Sequence, residues 1–283
     1  MSMQLRKSLT QLPKWTRTLA TVFVVGLSFL YLGYHVIHGL KQINLVEFRP
    51  RPIPLILATL LYTIGVLIGS LCWSLILSGL GQELALRTNI KIHLSANIVK
   101  YLPGYGWQIL GKAYLCNRQG IPGESIGIGL ALEFFNIILT GLWVIVLTLP
   151  GTLLQAWRLA WMSPWRLPGM VLLTILLVAE PQWLKRVLQY FSARRKHGYQ
   201  FRIAQKPLLL MLMLMILAWF LLGLTLYLLT IALYPVAFTE LPSLTFAWVT
   251  SSIFSLVVIF VPTGLGVREG MLAFLLGFHL PMA

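Results

Sequence analysis

Lys100-Tyr101-Leu102-Pro103-Gly104-Tyr105-Gly106-Trp107 interrupts an apolar chain, and Pro262-Thr263-Gly264-Leu265-Gly266-Val267-Arg268-Glu269 does so again. Each break carries Pro followed by G-x-G, and the two Gly pairs lie 160 residues apart in register. Pro lacks an N–H and Gly lacks a Cβ, so both stop a helix. Broken backbone at membrane depth leaves N–H and C=O groups that only surrounding protein or a water-filled cavity can satisfy. Matched interruptions in the two halves of a membrane protein point to the binding site of a transporter. Pro103, Gly104, Gly106, Pro262, Gly264 and Gly266 are therefore the expected backbone breaks of such a site.

Composition sets the class. Of 283 residues, 58% are hydrophobic and 10% charged, and mean hydropathy is +0.83; a soluble domain carries roughly 25% charged residues. The expected fold is all-α, a polytopic membrane helix bundle forming a single integral membrane domain over residues 1–283. At ~20 residues per span, about six full spans fit, with short re-entrant or interfacial helices around the two breaks.

The expected spans cover residues 19–39, 54–80, 125–149, 168–179, 207–234 and 244–261, the fourth being short. Shorter helical pieces are expected at 90–102, 107–116 and 267–280. Residues 153–166 read as an interfacial helix, because Trp157, Trp161 and Trp165 recur every four residues, as suits a headgroup-level belt. Arg6, Lys7, Lys14 and Arg17 precede an apolar run too long for a signal peptide, so the first span is expected to be uncleaved.

The net charge is +15, and all seven acids are Glu. The Lys and Arg sit in short loops between spans, which points to anionic lipid headgroups and orientation bias rather than to nucleic acid. With the N-terminus inside, 17 of the 22 Lys and Arg face the cytoplasm. The expected location is the cell membrane with a cytoplasmic N-terminus. Four crossings then separate the breaks, as in a parallel repeat; an inverted repeat needs an odd number, and both remain open.

Cys72 and Cys116 are the two cysteines, without a C-x-x-C pair, and the five His show no metal-ligand spacing. No nucleophile elbow, zinc-protease helix or phosphate-binding loop is present. No metal, cofactor or enzymatic activity is expected.

Glu133 is the sharpest single residue, because an acid at the bilayer centre costs roughly 2.5–3.5 kcal/mol. It reads either as an ion, proton or headgroup site or as half of an internal salt bridge. Asn136 and Thr140 follow at i+3 and i+7 and extend a polar stripe on the same face, which also serves as helix–helix glue. Arg268 opens a short helix, where a cation is misplaced against the helix dipole, so it is expected to meet a phosphate or a buried Glu. Glu269 suits the same helix end as a cap or as a ligand. Lys100 and Lys112 flank the first break as point charges, with snorkelling as the alternative. Tyr101 and Trp107 offer amphipathic rings for a headgroup boundary.

Lys100-Tyr101-Leu102-Pro103-Gly104, followed by Trp107 and Gly111-Lys112, resembles the KYLPG-x-x-W…GR signature of the lysylphosphatidylglycerol synthase membrane-domain family, also called flippase-like. Glu133 with Gly141, and Glu180-Pro181 before a basic loop, resemble further family features. Val261-Pro262-Thr263-Gly264-Leu265-Gly266-Val267-Arg268-Glu269 resembles its P-G-G-x-G-V-R-E signature. Lys112 stands where the family has Arg, and Thr263 replaces a Gly. The chain is expected to be a stand-alone member without the synthase domain, and to lack the family's final helix after Ala283.

The resemblance implies roughly eight membrane helices, some re-entrant, and movement of a phospholipid or lipid-linked headgroup between leaflets. Aminoacylated phosphatidylglycerol is the cargo of the best-known members. The alternative is a non-transporting membrane partner that binds or presents lipid to a separate enzyme. Anionic or aminoacylated phospholipid is the expected partner, with a homo-oligomer or a lipid-modifying enzyme left open. A polar cavity joining Glu133, Asn136, Arg268 and the breaks would mark transport; a sealed salt bridge at Glu133 would mark the partner.

Overall fold

The computed structural model describes residues 50–99, 106–150, 168–169, 172, 205–257 and 267–277. Among them are seven helices: α1 (Pro52–Gly79), α2 (Leu86–Val99), α3 (Trp107–Asn117), α4 (Gly123–Thr148), α5 (Gln205–Leu233), α6 (Leu241–Val257) and α7 (Val267–Gly277). No strand occurs among the described residues. Three helices are long and apolar enough to cross a membrane: α1, α4, and α5 over Leu209–Leu233.

These three match three of the six expected spans to within about two residues. α1 begins at Pro52 rather than after Pro54. Both prolines sit in its first turn, where the missing N–H groups would have lacked intrahelical partners anyway. The expected sixth span appears as the 17-residue α6, with 258–266 outside the described residues. The first span, the fourth span apart from Pro168, Gly169 and Leu172, and the Trp157–Trp161–Trp165 belt also lie outside them. The piece expected at 90–102 starts earlier, at Leu86.

Helix directions follow from residue pairs. Arg51 N–H donates to Ala232 C=O at one end of the bundle, and the Cys72 thiol faces Met211 C=O at 3.8 Å toward the other. α1 and α5 are therefore antiparallel, and their contact is the most extensive among the described helices. The Trp219 indole N–H reaches Thr140 of α4, and Met211 and Met215 share a core cluster with Leu132 and Leu139. Thus α4 and α5 run parallel and start at the same end. α2 and α3 form a short hairpin at that end, α2 packing on α1 and α3 on α4.

Close approach depends on small residues. A Cβ on Gly129 would lie 3.1 Å from the Trp73 ring, and one on Gly141 would lie 2.7 Å from Ile253 Cδ1. Small residues at helix contacts let backbones approach in a membrane, where packing rather than hydrophobicity drives association.

Candidate functional site

Among the described residues, one residue from each of four helices meets in a buried cluster. Lys112 of α3 points inward and is only 3% exposed. Its ammonium donates to both carboxylate oxygens of Glu133 of α4, at 2.6 and 2.7 Å. It also lies 3.8 Å from the centroid of the Trp73 ring of α1, and 3.5 Å from His93 Nδ1 of α2. The cation thus meets a carboxylate, an indole face and an imidazole, three groups that attract positive charge.

Local sequence explains the convergence. Gly106 caps α3 at φ 88°, a left-handed conformation that glycine adopts without strain. The first turn of α3 is largely exposed, and Lys112 falls on the buried face of the helix together with Cys116 one turn on. α2 carries Asn89, His93 and Asn97 at four-residue spacing, all on one face. Asn89 bonds Ser74 of α1 at 3.1 Å, and Gln108 of α3 bonds Asn97 at 3.1 Å. This polar face fixes the hairpin against α1. Glu133 is the eleventh residue of α4, about 15 Å from its start at ~1.5 Å per residue, inside an otherwise apolar helix.

The stripe continues along α4. Asn136 is fully buried and its amide donates to Leu132 C=O. Thr140 is fully buried, donates to Asn136 C=O at 2.6 Å, and accepts from Trp219 Nε1 at 3.2 Å. Trp219 shares a core cluster with Val144, Val249 and Ile253, against which Trp248 packs. Over Trp248 sits the guanidinium of Arg268, 4.1 Å from the ring centroid.

Arg268 therefore stacks on an aromatic ring rather than reaching Glu133. Its locus lies near Val144, eleven residues past Glu133, a rise of about 16 Å. The two loci sit at different depths with Asn136 and Thr140 between them. Glu269 is exposed in the first turn of α7, and Trp107 is exposed at the start of α3. Lys100, Tyr101, Pro103, Gly104, Pro262, Gly264 and Gly266 lie outside the described residues.

Snorkelling is overturned for Lys112: its side chain runs inward to Glu133, and the ion pair with the indole face offsets its desolvation. Trp73 and His93 were not singled out from sequence. His93 had a signal in its four-residue spacing with Asn89 and Asn97; Trp73, in an apolar span, had none. Among the described residues no group of three or more His, Cys, Asp or Glu is placed to hold a metal ion.

No protein-family model, no curated protein and no solved structure matches the chain.

Proposed function

We propose that the chain moves a phospholipid or lipid-linked headgroup between leaflets, along a polar route that runs from Lys112 and Glu133 past Asn136 and Thr140 toward Arg268. The observation that carries this reading is the buried Lys112–Glu133 pair set among apolar helices, delivered by an 11-residue helix too short to cross a bilayer. Discontinuous helices bring charge to the midplane in transporters, and ions placed there are costly to keep without a use. The lipid phosphate would meet Arg268 or Lys100, and an aminoacyl ammonium would meet Glu133 or Glu269, while the tails stay in the bilayer. No covalent chemistry is involved. The motif resemblance to the flippase-like family supports the same reading, with six spans, a cell-membrane location and a cytoplasmic N-terminus.

One observation favours a second reading. The ion pair is closed and Asn136 and Thr140 beyond it are fully buried, the sealed arrangement that marks a non-transporting partner, which would present lipid to a separate enzyme through its basic 185–206 segment.

Leaflet exchange of labelled phosphatidylglycerol, plain and aminoacylated, in proteoliposomes separates the two. Transport requires exchange by the wild type that is lost in folded Glu133→Gln, Arg268→Ala and Lys112→Met/Glu133→Gln chains. Absence of exchange above empty liposomes, from a folded wild type, rejects transport. Full exchange by the doubly neutralised chain removes the pair from the route.

A further inference from the structure

The proposed route gives the His93 imidazole no task, yet it touches the cation that closes the route. Lys112 donates to both oxygens of Glu133, and Nδ1 of His93 stands 3.5 Å from the same nitrogen. An ammonium accepts no hydrogen bond, so this contact needs a bare Nδ1 and leaves the ring proton on Nε2. The arrangement is that of a neutral imidazole.

The imidazole is the pinned partner and the lysine the mobile one. On the Nε2 side a Cβ at Gly69 would stand 2.9 Å away, so the α1 backbone blocks retreat of the ring. Asn97 donates to the His93 carbonyl at 3.1 Å and is itself held by Gln108 of α3. Lys112 ends a flexible four-carbon stem. The other titratable groups facing its ammonium are the thiols of Cys72 on α1 and Cys116 on α3. Arg87 and Lys91 lie on the exposed face of α2, away from the cluster. His93 is 9% exposed and the Glu133 side chain 14%, against 3% for Lys112, so water has access to the ring and the carboxylate.

We infer that His93 is a proton-operated latch on the Lys112–Glu133 pair. A proton taken from water by Nδ1 sets an imidazolium against the ammonium, two like charges in a desolvated site. The ammonium keeps its own three protons and leaves the carboxylate, and the imidazolium becomes the partner of Glu133. The one bond formed in the protein is N–H, and the cluster gains one positive charge. Opening the pair unseals the way toward Asn136; that consequence rests on the transport reading, and the latch itself does not.

The two cysteines of the chain report on the latch, because both are buried beside the pair. The probe is methyl methanethiosulfonate, with labelling of the detergent-purified full chain read by mass spectrometry. A fixed structure loses about ten-fold in labelling rate per pH unit, because the thiolate is the reactive form. Between about pH 7.5 and about pH 5.5, where histidine titrates, the wild type should fall by less than about ten-fold. His93→Gln accepts from Lys112 but takes no proton, so it should show the full fall, about a hundred-fold. Lys112→Met/Glu133→Gln keeps the imidazole without an ion pair to open. It should also show the full fall, and it serves if His93→Gln does not fold. A full fall in the wild type overturns the latch, and so does a small fall in either variant. Leaflet exchange by the same preparations separates this from the transport reading. A small wild-type fall without exchange at either pH upholds the latch and rejects transport; exchange beside a full fall rejects the latch alone.

Discussion

Gly69 of α1 lies against the imidazole of His93 of α2, so closely that a Cβ at position 69 would stand 2.9 Å from Nε2. The missing side chain is what lets His93 seat beside Lys112. Gly69→Ala should push the imidazole off the cluster and cost about 1–3 kcal/mol of overpacking. A thermal melt of the detergent-solubilised protein reads this, and Gly69→Ala/His93→Ala should recover most of the loss. Equal melting of Gly69→Ala and the wild type would show that the hairpin is not seated by this contact.

The Lys112–Glu133 pair should behave as a unit. Removing one partner leaves a buried charge unpaired, so Lys112→Met or Glu133→Gln alone should cost about 3–5 kcal/mol, while the double change should be far milder. A double-mutant cycle on stability in detergent measures the coupling. Additive single losses would mean that the two groups do not share one desolvated site.

The Thr140–Trp219 bond is a small term by the same logic. Hydrogen bonds between membrane helices average about 0.6 kcal/mol, because the separated helices find other partners. Trp219→Phe should therefore lower stability mainly through packing, and Thr140→Val should lower it by about 1 kcal/mol or less. A loss of several kcal/mol from Thr140→Val would make this contact a main tie between α4 and α5.

Gly106 is conformational rather than steric: its φ is 88°, and nothing lies within 4 Å of where a Cβ would sit. Gly106→Val should cost about 1–2 kcal/mol of left-handed strain, and Gly106→Asn less, because Asn tolerates that region better. If the two variants melt alike, strain at the start of α3 is not what Gly106 relieves.

Much of this was legible in the chain. The limits of α1, α4 and α5 follow from long apolar runs punctuated by Pro and Gly, local signals that any membrane helix must obey. Glu133 stood out because an acid in such a run is costly wherever the rest of the chain lies. Gly106 stood out because G-x-G after Pro cannot continue a helix. His93 and Trp73 did not, because nothing near them in sequence reports which helix they will face.

The sequence alone determined a helical, membrane-type chain with an acid inside an apolar span and a Pro-Gly interruption ahead of α3. Those properties depend on neighbours within a few positions, through helix periodicity and the cost of exposed peptide groups. Tertiary structure decided the partners. It turned Lys112 inward onto Glu133 over Trp73, although those residues are 21 and 39 positions away. It placed Arg268 on Trp248 instead, a helix contact away from that centre. Both outcomes depend on how closely helices pack, which glycines such as Gly69 and Gly129 permit and no local pattern reveals.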